Sequence, residues 1–219
     1  VETDIKWKEN LNELTKKYPH HVLVPQDNTY GMLLYSKLRI KSHDVKFLVD
    51  DKVPSIHACI EFKKGDEFNL FGVHPRPPRP KEGDSIQRDS ELMKIGKLAE
   101  SLPHVLVVGD FNDVAWSHTT RLFKRTSKLL DPRVGRGLYN SFPTWSPLLR
   151  APLDHFFHSK TFYFTNLIRL EDSGSDHFPL LFNLEFAPKD NEQKPEKKEK
   201  DDQEERRELE ERGKEWDGP

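Results

Sequence analysis

The apolar residues of this chain fall into short groups of four to eight positions, and most alternate or cluster as strands do. Val105-Leu106-Val107-Val108 is a continuous apolar run and reads as a strand buried on both faces. Further strands are expected near 22–24, 30–36, 45–49, 55–62, 67–73, 154–158, 161–170 and 179–186, with Lys63-Lys64-Gly65-Asp66 as a hairpin turn. Helical spacing occurs in three places. Trp7, Leu11, Leu14 and Tyr18 recur at i, i+4, i+7 and i+11, which predicts an amphipathic helix over about 4–17 that Pro19 ends. Leu92, Ile95, Ala99 and Leu102 share one face of a helix begun at Asp84 or Ser85 and closed by Pro103. A third helix is expected over about 117–129, and the Pro-rich segment 75–80 interrupts regular structure. Alternating α and β segments of this kind suit two packed sheets with helices outside.

Composition changes this picture only at the C-terminal end. The 219 residues fit one α/β domain, and the apolar pattern runs without a linker to Phe186. Residues 188–219 are almost entirely charged or polar, with Leu209 and Trp216 as exceptions, so they are read as a solvated tail, disordered or a lone helix. The tail holds 13 of the 37 acidic and 9 of the 35 basic residues, which leaves residues 1–187 near +2. That balance is too small to mark a nucleic-acid binder. Cys59 stands alone in an apolar strand and reads as a core residue, so there is neither a disulfide framework nor a zinc cluster. No apolar run approaches the ~20 residues that span a bilayer.

Two strings carry candidate chemistry. Gly109-Asp110-Phe111-Asn112-Asp113 follows a buried strand and delivers Asp110 and Asn112 to its end. Ser175-Asp176-His177 places a carboxylate and an imidazole side by side before the apolar run resumes at Phe178. Between them, Ala151-Pro152-Leu153-Asp154-His155-Phe156-Phe157 is an apolar strand interrupted by a carboxylate, preceded by Thr144-Trp145 in a Pro-rich loop. Each string alone also reads as a turn or cap, since Asp, Asn and Ser bond their own backbone. Together they supply what attack on an anionic phosphate ester needs: charge neutralisation, positioning of water and a proton acceptor.

With these motifs the chain resembles the endonuclease/exonuclease/phosphatase family, in its bacterial branch. The resemblance runs in family order over residues 2–186. Val1-Glu2-Thr3-Asp4 resembles the end of the strand bearing the metal-binding Glu, Gly31-Met32-Leu33-Leu34-Tyr35-Ser36 the strand after it, and Gly72-Val73-His74-Pro75 the strand end with the first catalytic His. It implies a four-layer αββα sandwich of two packed, mostly antiparallel sheets over residues 1–187. It further implies metal-dependent hydrolysis of phosphate esters, with Glu2 and Asp176 binding Mg²⁺ or Mn²⁺. Asp110 would orient or deprotonate water, Asn112 would stabilise the developing charge, and His177, fixed by Asp154, would face the phosphate. His74 would serve as the second imidazole. The family's earlier Asn-bearing strand has no counterpart here, so the chain resembles a fragment.

The resemblance leaves the substrate open between nucleic acid and lipid or small-molecule phosphates. The alternative is a catalytically weak binding or scaffold module acting through the charged tail. A monomer is expected, either membrane-anchored through segments upstream of Val1 or cytoplasmic. His20, His21, His43, His57, His104, His118, His155 and His158 lack ligand spacing, and His155 should point to the face of its strand opposite Asp154. Arg76, Arg79, Lys81, Arg121, Lys124, Arg125, Lys128, Arg133 and Arg136 read as solvated charges, some of them placed to line the rim of a site.

Overall fold

A computed structural model of the chain describes residues 1–78, 84–187, 195–196, 199 and 201–215. Two short helices, α1 (Ile5–Asn10) and α2 (Leu14–Lys17), precede a hairpin of β1 (His20–Val24) and β2 (Met32–Ser36). Next come β3 (Arg39–Lys46), β4 (Ser55–Lys63), β5 (Asp66–Val73), α3 (Asp84–Glu100), β6 (Val105–Asp110), α4 (His118–Ser127) and β7 (Asp154–His158). A second hairpin, β8 (Phe162–Arg169) and β9 (Leu180–Phe186), is followed by α5 (Asp202–Glu215).

Strands β3 to β7 form one five-stranded sheet in that order. All its pairs are antiparallel except β5 with β6, whose parallel alignment requires a long crossover, supplied by α3. The strand period of two sends alternate residues to opposite faces. Phe71, Val73, Val105, Val107 and Phe157 meet Leu92, Met93, Ile95, Leu122 and Phe123 of α3 and α4 on one face. Ala58, Ile60, Phe68, Leu106 and Phe156 face the hairpins on the other, against Leu34, Phe162, Phe182, Leu184 and Phe186. Both faces of β6 are therefore covered, which is why its sequence is apolar without interruption. The mixed α/β architecture of packed, mostly antiparallel sheets with outer helices is present, the second sheet layer being two separate hairpins among the described residues.

Several expected elements differ from those observed. The helix over 4–17 divides at Leu11–Glu13, and neither half buries a residue. Trp7 is 54% exposed, so the amphipathic stripe finds no surface wide enough to hold one continuous helix. The strand expected at 45–49 lies instead at 39–46, where Arg39 to Lys46 pair with Glu61 to Ser55 around a bulge between Ile40 and Ser42. Its polar Lys41, Ser42, His43 and Asp44 disguise an edge strand with one exposed side.

The largest difference concerns the tail. Residues 202–215 are helical, as one of the two expectations had it, but the helix is packed rather than solvated. Asp202, Glu205, Arg206, Leu209, Glu210 and Gly213 are its shielded positions and recur at helical spacing. Leu209 packs on the α3/α4 core. Arg125 Nε donates to both oxygens of buried Asp202 at 3.0 Å, and His118 meets Glu205. At Gly213 the helices approach so closely that a Cβ would lie 2.4 Å from Cβ of Ser90. The stripe was hidden because its positions are polar. Trp216 lies outside the described residues.

Truncation after Ala187 should therefore lower the thermal midpoint measurably. Leu209→Ala should cost about 1–2 kcal/mol in urea unfolding, less than a fully buried leucine because Leu209 is only partly covered. Unchanged midpoints for both would contradict the docking of α5.

Candidate active site

The register of three strands builds the site. Val73 pairs with Gly109, and Asp110 pairs with Asp154, so the ends of β5 and β6 and the start of β7 share one edge of the sheet. His74, Asp110 and Asp154 continue the alternation of Gly72, Val108 and Phe156 on the face toward the hairpins. Gly109 makes this possible. It sits at φ 149°, and a Cβ there would come within 1.9 Å of the Val73 carbonyl oxygen.

Asn112 turns the chain back in a left-handed conformation, φ 50°. Its N–H donates to Asp110 Oδ1 at 2.7 Å, and its amide Nδ2 donates to the Pro75 carbonyl at 3.0 Å. Arg88 of α3 donates to the Asn112 carbonyl at 2.8 Å and lies 3.6 Å from Asp113. Asp113 in turn accepts from Thr120 Oγ1 at 3.0 Å and from Ser117, anchoring the start of α4. Thr3 exchanges backbone bonds with Gly31 and Gln26, which brings Glu2 to the same edge.

Six of the seven expected residues converge here. His74 Nε2 lies 3.9 Å from Glu2 Oε1 and 3.8 Å from Asp110 Oδ2. His177 Nε2 lies 3.8 Å from the same Asp110 oxygen, while its Nδ1 is 2.7 Å from Asp154 Oδ2. Asn112 joins them through Asp110. Asp176, the seventh, is exposed beside His177, with its carbonyl accepting from the Thr144 N–H at 2.8 Å. Arg79 and Lys81 fall outside the described residues, and Arg76 is engaged by Asp50 at 2.6 Å. Arg125 and Arg133 are buried in ion pairs with Asp202 and Asp131 rather than solvated.

The environment separates the two imidazoles. Burial lowers the His74 pKa to about 4, so the ring is neutral at pH 7. Burial also opposes protonation of His177, but the Asp154 hydrogen bond and the charges of Asp154, Asp110 and Asp176 outweigh it and raise its pKa. Burial, then the nearby charge of Asp154, holds Asp110 above the usual carboxylate range. Asp154 is lowered: burial works against ionisation, and the His177 bond and charge overcome it. His155 faces away from Asp154, between Arg133 Nη2 and the Asp113 carbonyl, each at 2.8 Å. Burial and the Arg133 charge lower its pKa to about 3.

The oxygen donors suit a hard cation. Glu2, with its side chain 57% exposed, stands at the open mouth beside buried Asp110, and no cluster of three or more His, Cys, Asp or Glu ligands closes around a point among the described residues. A cation that keeps several waters fits such a mouth better than one needing an all-protein cage.

Arg88, Ser141, Tyr30 and Phe142 were not anticipated. Ser141 Oγ accepts from the Asp154 N–H at 3.1 Å, the Phe142 ring lies 4.7 Å from that of His177, and Tyr30 lies 5.7 Å from His74. These contacts arise from loops meeting in space, and nothing in their local sequence marks them.

A profile of the Endonuclease/Exonuclease/phosphatase family matches residues 1–177, and the chain belongs to that family. Solved structures of similar fold include humanized TDP2 from D. rerio, with 14% identity, 84% of this chain and 83% of that chain covered, and a TM-score of 0.69. The human Nocturnin catalytic domain with bound sulfate shares 16% identity over 84% and 77% of the two chains, TM-score 0.62. A Bacteroides thetaiotaomicron endonuclease/exonuclease/phosphatase family protein shares 18% over 83% and 80%, TM-score 0.63. At such identities the likeness is one of fold. No curated protein matches the chain significantly in sequence.

The His177–Asp154 pair fixes a pH window. Because the His177 pKa is raised, its contribution to stability is complete below the ordinary histidine value of 6.5 and is lost as pH rises through the raised value. Because the Asp154 pKa is lowered, its contribution is present above the ordinary carboxylate value of 3.8 and is lost as pH falls through the lowered value. Histidine NMR should place the His177 titration above 6.5, and Asp154→Asn should move it down. An unmoved titration would show that Asp154 does not hold the ring.

Proposed function

We propose that this protein is a metal-dependent hydrolase of phosphate esters that directs an in-line water at phosphorus. Family membership supports a hydrolase acting on phosphoester bonds. The observation that carries the reading is Asp110 set 3.8 Å from each of two imidazoles, one of them oriented by Asp154 at 2.7 Å. Environments that push neighbouring titratable groups apart are how acid and base roles are divided.

In this reading Asp110 accepts a proton from water as the water oxygen bonds phosphorus and the ester P–O bond breaks. The leaving oxygen takes its proton from solvent, and Asp110 releases its own. His177, fixed by Asp154 and with its pKa raised, donates a hydrogen bond from Nε2 to a phosphate oxygen whose charge grows. His74 is neutral and offers a hydrogen bond without a charge. Asn112 and Arg88 hold the turn that aims Asp110. A divalent cation, held by Glu2 with Asp176 and water as Mg²⁺ or Mn²⁺, would neutralise phosphate charge and lower the pKa of the attacking water.

The charged tail through which the scaffold alternative would act is, over residues 202–215, a helix packed on α3 and α4 rather than a free appendage. His177→Ala should lower turnover of bis-p-nitrophenyl phosphate with Mg²⁺ by ~10² or more, while circular dichroism at the assay temperature shows the fold retained. Near-full activity in that variant would remove His177 from the mechanism.

A further inference from the structure

The loop from Thr144 to Arg150, one turn of chain from the site, carries three large apolar side chains that the described residues leave open. Trp145 is 70% exposed, Leu148 94% and Leu149 66%. The loop is not slack. Its base is closed by an antiparallel bridge between Phe142 and Ala151, with Arg150 Nη2 donating to the Thr144 carbonyl at 2.9 Å and Nε to Pro143 at 3.3 Å. Thr144 N–H and Oγ1 donate to the carbonyls of Asp176 and Ser175 at 2.8 and 3.0 Å. A stiff base therefore presents an apolar tip, and exposing such a tip in water is unfavourable unless something covers it.

Cations surround the base. Arg150 and Arg169 both lie over the Phe178 ring, at 4.7 and 4.6 Å, and Arg136 lies over Phe164 at 4.8 Å. Their hydrogen bonds run to carbonyl oxygens of Pro143, Thr144, Asn140, Pro132 and Val134. None of the three ion-pairs with a carboxylate among the described residues, so their charge is available to an anion. Ile168 and Leu170, flanking Arg169, are 40% and 42% exposed and extend the apolar surface toward β8.

We propose that residues 144–150 form a wedge that inserts into the interface of a phospholipid bilayer and seats the active site against headgroup phosphates. The proposal rests on the phosphoester-hydrolase reading for its chemistry and names the substrate class as a lipid-linked phosphate ester. The order of groups decides the partner. Two adjacent leucines form the tip, a tryptophan stands beside them, and guanidiniums lie at the base, which matches hydrocarbon, interface and phosphate in turn. A nucleic-acid strand would use successive flat rings on which bases stack, whereas this loop has one, Trp145, and its tip is a leucine pair that offers none. The base of the wedge also touches the site, since Phe142 packs on His177 and Thr144 holds Asp176. A bilayer meeting the tip would thus present its phosphates beside the imidazole. Glu171 and Asp172 follow Leu170, so insertion rather than net positive charge drives the contact.

The test uses the full chain and mixed phosphatidylcholine–phosphatidylglycerol vesicles. Wild type should co-sediment with them, and the triple variant Trp145→Ser, Leu148→Ser, Leu149→Ser should bind at least about ten-fold more weakly. Hydrolysis of soluble bis-p-nitrophenyl phosphate and the unfolding midpoint should stay as in wild type. Vesicles should shift tryptophan emission to the blue in wild type but not in Trp145→Phe. Equal vesicle binding by the triple variant, or none by wild type, would overturn the wedge. So would loss of single-stranded DNA binding in the triple variant with vesicle binding intact. Wild type that binds vesicles through the loop yet hydrolyses neither soluble nor vesicle phosphate esters would overturn the hydrolase reading and the substrate class with it, while leaving the insertion itself in place.

Discussion

Everything at the candidate site depends on one register, the parallel pairing that sets Val73 opposite Gly109, extended by the antiparallel pairing of Asp110 with Asp154. Parallel neighbours point the same way, so β5 and β6 end at one edge, and β7 starts where they stop. Three side chains from stretches far apart in sequence are brought together without any loop having to reach. The crossover α3 is itself part of the device, because the helix that makes the parallel pair possible also carries Arg88 back to the turn at Asn112. Scaffold and site share residues, as expected where catalytic geometry is set by rigid elements.

The site's electrostatics follow from depth. His74 and His177 are both near Asp110, at equal distances, yet one is neutral and the other favours its proton. The difference is a partner. His177 has a carboxylate on its far nitrogen, whereas Nδ1 of buried His74 has no hydrogen-bond partner among the described residues. An acid and a neutral ring around one carboxylate allow proton uptake and charge stabilisation at a single pH.

Much of this was legible in the sequence, and the limits are physical. Asp110, Asn112, Asp154 and His177 were readable because each interrupts or ends an apolar strand, and a polar residue there has few reasons to exist except a turn or a site. His74 and Glu2 carried little local signal and were reached through the order of motifs. Arg88, Ser141 and Phe142 act through contacts between positions 13 to 35 residues apart in the chain, which no window reveals. The helix expected over 4–17 was misjudged in the opposite sense: the apolar spacing was present, but spacing stabilises a helix only when a surface receives it. In α5 the surface exists and the stripe is polar, so ion pairs replaced the apolar pattern that sequence reading relies on.

Gly109 adds a consequence for how this chain can vary. The carbonyl of Val73 occupies the space where any β-carbon would stand, so a side chain at 109 would push β5 and β6 apart at the point where His74 and Asp110 leave them. Charges around the site can be exchanged one at a time, each at a graded cost in reactivity. The spacing between the two strands admits no such gradation. Chemistry here is therefore adjustable while its ruler is fixed, and divergence among chains of this architecture should fall on loops such as 144–150 long before it reaches this contact.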